Sequence, residues 1–174
     1  MIAVQLPTTT VYRVHHPRWA HTPSSGAGAA SNGGRLNRPG ISALYLSLEE
    51  ATALSEYRQV SRLLPPGTIV SYEVSLASVV DATDGNRNTE EWDDIWQALH
   101  CDWRNLWFQQ RVEPPSWLLG DLAMEAGAAG ILFSSSAEPG GTNLVLFTEA
   151  LGPDDALRVY DPDGRLPKDG FSWA

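Results

Sequence analysis

The sequence predicts a single α+β domain, a small bent mixed sheet with flanking helices, and three observations predict it. A chain of 174 residues with 43% hydrophobic side chains fits one domain able to bury its own core. Short apolar runs of strand type are interleaved with stretches of helical periodicity, the pattern of a mixed fold. No internal repeat and no linker interrupts residues 1–174, which read as one unit.

The elements follow in order. Residues 11–15 read as a short strand, and residues 24–40, rich in Gly, Ser, Asn and Pro, as a loop. Residues 41–46 are apolar enough for a buried strand. Ser47 with Glu50 three residues on forms a capping box ahead of a helix running to Leu64, with Leu54, Tyr57, Val60 and Leu64 as its buried stripe. Pro65-Pro66-Gly67 stops that helix, and residues 68–75 alternate as a strand. Thr89 is positioned to cap a helix through His100 that sets Trp92 and Trp96 on one packing face. Residues 103–108, with Trp103 and Trp107 at the same spacing, extend it or form a second piece. Ser116 caps a helix to residue 125 or 126, closed by Gly127 and Gly130. Strands over 131–136 and 143–151 are joined by the turn Glu138-Pro139-Gly140-Gly141, and 156–160 reads as a last strand.

Charge narrows the function. A net charge of −9 argues against nucleic acid as a partner, because phosphate affinity comes from clustered Lys and Arg. The distribution is uneven: residues 1–48 hold Arg13, Arg18, Arg35 and Arg38 and no acid, leaving +4 there and −13 on the remainder. Such a basic island suits a small anionic ligand, most simply a phosphate or pyrophosphate, and it equally fits a chain that uses arginine almost to the exclusion of lysine. Cys101 is the sole cysteine, so no internal disulfide can form and no Cys/His zinc cluster is present. The first ten residues lack the features of a signal peptide, and no apolar run is long enough to span a bilayer, so a cytoplasmic location without membrane association is expected.

The glycine-rich stretch from Gly26 to Gly40 is neither a Walker loop nor a Rossmann turn, since no Gly-Lys-Ser/Thr and no Gly-x-Gly-x-x-Gly occurs in it. It offers Gly33-Gly34 for close backbone approach, Arg35 beside them, and Asn37 to bond a hydroxyl or main-chain group. Taken alone it also reads as a surface loop. Glu56 falls roughly 90° from the centre of the expected apolar stripe, a place that suits a solvated carboxylate or one aimed into a cleft. His15, His16, His21 and His100 lack ligand spacing, and Ser134-Ser135-Ser136 lacks a nucleophile elbow.

Together these pieces are similar to one family. Tyr12-Arg13, Gly33-Gly34-Arg35-Leu36-Asn37-Arg38-Pro39-Gly40, Leu44-Tyr45-Leu46, Glu56, Gly130-Ile131-Leu132-Phe133-Ser134-Ser135 and Pro139-Gly140-Gly141-Thr142-Asn143-Leu144-Val145-Leu146-Phe147 resemble the RES domain, over about residues 11–160. One departure is visible, Leu36 where the family usually has Trp. The resemblance implies a split sheet around an NAD cleft, as in ADP-ribosyltransferase toxins, and a toxin that depletes NAD, with a cognate Xre-like antitoxin as partner. It assigns Glu56, Arg35 and a serine to catalysis. Spacing selects Ser135, with Ser134 adjacent and chemically equal. On a strand the two face opposite sides.

On this resemblance Glu56 stabilises the positive charge that develops on the ribose as nicotinamide leaves. Arg13 and Arg35 clamp the pyrophosphate, Tyr45 offers a ring to nicotinamide or ribose, and the serine and Asn143 orient the ligand or support the glutamate. No cofactor is implied, because NAD is the substrate. Water as acceptor gives an NAD glycohydrolase, inorganic phosphate an NAD phosphorylase. A protein acceptor gives an ADP-ribosyltransferase, and a non-catalytic NAD-binding or interaction domain is the alternative outside enzymes.

Overall fold

The structure is a computed structural model that describes residues 2–58, 61–83 and 92–171. Its frame is a long antiparallel pair, β1 (Ile2–His15) and β3 (Thr68–Ala82), in register from Ile2↔Asp81 to His15↔Thr68 with irregularities between Val4 and Leu6 and between Leu6 and Thr9. The free edge of β3 carries β6 (Ala156–Val159) antiparallel along its first half and β4 (Gly130–Ser134) parallel at its end. β4 pairs antiparallel with β5 (Thr142–Phe147), and β5 with β2 (Ala43–Ser47). β2 returns to β1 through one bridge, Tyr12↔Ser47. The mixed sheet therefore curls almost shut and stays open beyond that bridge, between β1 and β2. Arg13 spans the opening, its Nη1 donating to the carbonyl of Tyr45 at 3.3 Å.

Residue alternation on β5 explains how the curl is filled. Leu144 and Leu146 point into its interior with Val11, Leu44, Tyr72 and Val74, whereas Val145 and Phe147 face outward with Ile131 and Phe133. The outward layer is covered by α3 (Trp92–Leu99) through Ile95, Ala98 and Leu99, and by α4 (Ser116–Glu125) through Leu119 and Ala123. Burial on both faces is why β4 and β5 read as continuous apolar runs. The turn between them is type II: Gly141 N–H donates to Glu138 O at 3.0 Å, Pro139 sits second and Gly140 third with φ +81°.

Several elements differ from the sequence expectation. The loop over 24–40 contains a helix, α1 (Ala27–Asn32), whose short Ala/Gly run lacks a capping side chain or an apolar stripe to reveal it. β1 and β3 are far longer than expected, because each irregularity in the β1–β3 pairing breaks the period on which strand recognition rests. β5 ends at Phe147, and Thr148–Ala150 form a 3-10 turn. Trp96 lies on the exposed side of α3 at 37% exposure, with its ring on His100, while Thr89, the expected cap, falls outside the described residues. Residues 105–110 form a separate π-helical turn, Asn105–Gln110. Ser116 opens α4, but its hydroxyl donates to Arg35 O instead of capping the helix.

One buried polar pair ties the β1–β3 frame to the chain ahead of α1. The Tyr72 hydroxyl donates to Pro23 O at 2.8 Å and meets His15 Nε2 at 2.6 Å, so the ring proton is assigned to Nε2. Burial, then the charge of Arg13, holds His15 down to about 4 from an ordinary 6.5. The unfolded chain thus binds a proton near pH 6.5 that the folded chain accepts only near pH 4. Stability falls as pH is lowered through that window and levels off below it. In urea unfolding, the wild type should lose about 2 kcal/mol more than His15→Gln between pH 7 and pH 5. Equal losses in the two proteins would show that His15 does not set this dependence.

Candidate active site

The cleft opens at the seam between β1 and β2, and α2 (Glu50–Arg58) lies across both strands. Its inner face is formed by Thr52 and Ala53, both buried, followed one turn later by Glu56. The expected stripe is out of phase: Leu54 and Tyr57 are half-buried, Leu64 lies beyond the helix at 53% exposure, and Val60 falls outside the described residues. The expected cap fails as well. Ser47 ends β2 and donates to Asn143 Oδ1 at 2.8 Å, while Glu49 Oε2 accepts from Thr52 Oγ1 at 2.7 Å and Thr142 N–H at 3.1 Å. Small inner residues let the helix sit close to the β4–β5 turn, where a Cβ on Gly141 would lie 2.3 Å from Thr52 Oγ1.

Close docking fixes the carboxylate. Glu56 Oε1 accepts from Ser135 Oγ at 2.7 Å and from Asn143 Nδ2 at 2.6 Å. Each donor is itself held: Ser135 Oγ accepts the Ala137 and Glu138 amides, both at 3.1 Å, and Ser47 engages the Asn143 carbonyl oxygen. Next to Glu56, Ser55 Oγ donates to Glu138 Oε2 at 2.6 Å. Ser135, the serine that spacing selects, therefore reaches the glutamate. It lies one residue beyond β4, on the side to which Phe133 points, whereas Ser134 ends the strand on the alternate side. Asn143 acts on Glu56 through its amide, so its observed role is to support the carboxylate.

Gly33-Gly34-Arg35-Leu36-Asn37 forms the opposing wall. Gly33 has φ +76°, and Gly34 N–H donates to Asn37 O at 3.0 Å, closing a tight turn. The Tyr45 hydroxyl accepts from Leu36 N–H at 2.9 Å and donates to Asn37 Oδ1 at 2.8 Å. Asn37 Nδ2 in turn reaches the carbonyls of Ala29, Arg38 and Ile41. A Cβ on Gly34 would lie 2.5 Å from both Asn37 Oδ1 and the Tyr45 hydroxyl, so glycine alone fits there. Asn37 thus serves the loop itself, and Tyr45 gives its hydroxyl to the loop while its ring lines the cleft. Leu36 is fully buried in the outer core against α4, away from the cleft. An indole lies under the loop all the same: Trp117 of α4 donates from Nε1 to Gly34 O at 2.8 Å.

The cleft measures about 350 Å³. Arg13, Arg35, Tyr45, Glu56 and Asn143 all line it, so most of the residues singled out from sequence converge on one space. Arg35 Nη1 donates to the carbonyl of Leu99 at the end of α3. Burial pushes Arg13 down, opposed by Tyr72 and Tyr45, and burial pushes the Tyr45 hydroxyl up, opposed by its bond from Leu36 and by nearby arginines. Tyr45 is therefore a neutral donor throughout the physiological range. Tyr12, placed by the sequence only within the Tyr12-Arg13 motif, also lines the cleft, as do Tyr57, Trp103 and Arg104, to which sequence reasoning assigned no role in the site. Tyr57 is expected in an apolar stripe, Trp103 is marked in the sequence only by its spacing from Trp107, and Arg104 lies outside the basic island. Among the described residues no group of three or more His, Cys, Asp or Glu is arranged to hold a metal ion, and no helix is long and apolar enough to cross a membrane.

This arrangement of a bent sheet, a glycine-arginine loop and a helix-borne glutamate coincides with a match to the family model described as the RES domain over residues 10–169. The chain belongs to that family. Among solved structures, its fold is similar to that in the crystal structure of the M. tuberculosis MbcT–MbcA toxin–antitoxin complex. The two share 19% identity with a TM-score of 0.61, over 91% of this chain and 85% of that one. No curated protein matches the sequence.

The loop network makes a direct prediction. Tyr45→Phe leaves the Leu36 N–H and Asn37 Oδ1 without their hydroxyl partner, a loss of about 1–3 kcal/mol that a urea midpoint should register. Gly34→Ala, which must displace the same pair, should lose more. Wild-type stability in Tyr45→Phe would refute the latch role of the hydroxyl.

Proposed function

We propose that this chain cleaves the bond between nicotinamide and ribose in NAD and is the toxin of a toxin–antitoxin pair. The observation that carries the reading is the Glu56 carboxylate, held by Ser135 and Asn143 and facing a cleft that Arg13 and Arg35 also line. As the bond breaks, its electron pair passes to the nicotinamide ring nitrogen, the ring leaves neutral, and positive charge spreads over the ribose C1 and ring oxygen. A fixed carboxylate beside that centre stabilises it without reorganising. Because both of its donors are anchored, Glu56 keeps one rotamer while the charge develops.

The arginines suit the diphosphate, since guanidinium forks match phosphoryl oxygens. The cleft lies at the small end of the range for ligand pockets and is open on one side, which suits part of a dinucleotide, the remainder extending outward. Water as acceptor yields ADP-ribose and a proton; inorganic phosphate yields ADP-ribose carrying a phosphate on the same carbon. Family membership and the fold shared with a chain crystallised in a toxin–antitoxin complex support a cytoplasmic toxin with an antitoxin partner, of Xre type by the family resemblance.

Purified protein incubated with NAD should release nicotinamide, measured by chromatography with water alone and with added phosphate. Glu56→Gln and Arg35→Ala should each lose at least tenfold in rate, about 1.4 kcal/mol of transition-state stabilisation. Unchanged turnover in both variants would overturn the site assignment. Label from ADP-ribose retained on denatured protein would reassign the acceptor to a protein side chain. In cells, expression should stop growth, and Glu56→Gln should relieve the arrest.

A further inference from the structure

Ser47 caps no helix, and its buried hydroxyl stands where two parts of the site meet. It ends β2, and its main chain is held from both sides: it forms the single bridge to Tyr12 of β1 and lies directly opposite Asn143 of β5. The next amide, Leu48 N–H, donates to Thr142 O at 2.9 Å, so the pairing with β5 continues past this point. Directly opposed residues of an antiparallel pair bring their side chains together on one face. Here that face borders the cleft, which Ser47, Asn143 and Glu56 all line.

An asparagine amide has two ends of nearly equal shape and opposite hydrogen-bonding character. Glu56, as a carboxylate, only accepts, so it takes the Nδ2 end of Asn143 at 2.6 Å and would repel the Oδ1 end. Oδ1 then needs a donor of its own, because Asn143 is buried. Among the described residues that donor is the Ser47 hydroxyl at 2.8 Å. A buried carbonyl oxygen deprived of its donor turns toward another partner or toward water, and the amide moves as one plane. Turning Oδ1 therefore draws Nδ2 off the carboxylate.

We propose that Ser47 is a positioning residue: its hydroxyl holds the Asn143 amide in the orientation that bonds Glu56, and it acts on the reacting centre through that amide. The inference deepens the NAD reading and rests on it for the reaction whose rate is measured. On that reading, a carboxylate with Ser135 and Asn143 both in place meets the developing ribose charge without rearranging. Once the amide is withdrawn, the carboxylate loses one of its anchors. The loss falls on the charged state and not on the bound ligand, so kcat drops while KM holds. The bridge to Tyr12 is made by the main chain, so removing the hydroxyl leaves the seam between β1 and β2 as it is.

Steady-state kinetics of nicotinamide release and NMR of the isotope-labelled full chain test this together. Ser47→Ala should lower kcat about fivefold with KM within about twofold of wild type, and Ser47→Thr, which keeps the hydroxyl, should recover most of the loss. In an Asn143→Ala background, Ser47→Ala should lower kcat little further, because the group through which Ser47 acts is gone. Thr148→Ala deletes a comparable hydroxyl bond, 2.7 Å to Ser42 Oγ, beyond the other end of β2 and β5 and outside the cleft, and should leave kcat unchanged. The Asn143 side-chain amide signal, assigned by its absence from Asn143→Ala, should shift and exchange faster with solvent in Ser47→Ala and stay near its wild-type position in Ser47→Thr. Wild-type kcat in Ser47→Ala, losses that simply add in the double variant, or an Asn143 amide unmoved by Ser47→Ala would each overturn the proposal. The amide signal is read without turnover, so an Asn143 amide that follows Ser47 in a protein that leaves NAD intact would refute the enzymatic reading alone.

Discussion

The docking of α2 on the β4–β5 turn is the constraint from which the cleft takes its shape. Contacts just before its first turn and again near its end secure it. Glu49 takes the Thr142 amide, Ser55 reaches Glu138, and Glu56 receives Ser135 and Asn143. None of these contacts forms unless the helix approaches closely, and it approaches because Thr52 and Ala53 are small and Gly141 has no side chain. Glu56 is consequently both a structural contact and the charged group of the cleft. Buried polar networks of this kind are favourable only when each member is satisfied, and no buried side-chain nitrogen or oxygen among the described residues lacks a partner.

The seam between β1 and β2 supplies the space. Had the two strands paired along their length, the sheet would have closed and the volume beneath α2 would have filled with side chains. A single bridge at Tyr12 and Ser47 leaves the curl open, and Arg13 holds the two strands in relation without a ladder. The glycine-arginine loop then closes the far side as a rigid wall, with the Tyr45 hydroxyl and Asn37 bonded within it and Trp117 beneath. The wall presents Arg35 because the loop's other polar groups are already bonded to one another.

Several features of the candidate site were legible before any coordinates. Glycines at 33 and 34, the arginine after them, the strand tyrosine, the helix glutamate and the downstream asparagine carry family-like spacing, and they meet in one cleft. Other parts were not legible. The phase of α2 was misread because its inner face is polar and small, so the hydrophobic period pointed to the wrong side. Arg104 and Trp103 were missed because they reach the cleft through a π-helical turn, which has no periodic signature in sequence. Helix α1 was hidden in a glycine-rich stretch, where low helix propensity argues for a loop until tertiary contacts such as Gly40 N–H to Ala30 O at 2.7 Å hold it.

By itself the sequence determined the fold class, the strands that are apolar throughout, the basic N-terminal third, and the identities of most charged and polar groups in the cleft. The first three follow from local pattern and composition, which act between neighbours along the chain, and the cleft residues from the spacing that resembles the family's motifs. The tertiary structure alone decided that the Ser135 hydroxyl bonds the glutamate, that Leu36 belongs to the core, and that Arg104 lines the same cleft as Arg35. Each of these depends on how far a strand runs, how a sheet curls and how closely a helix docks. Such quantities are set by contacts between residues tens of positions apart, whose pairing no local period encodes.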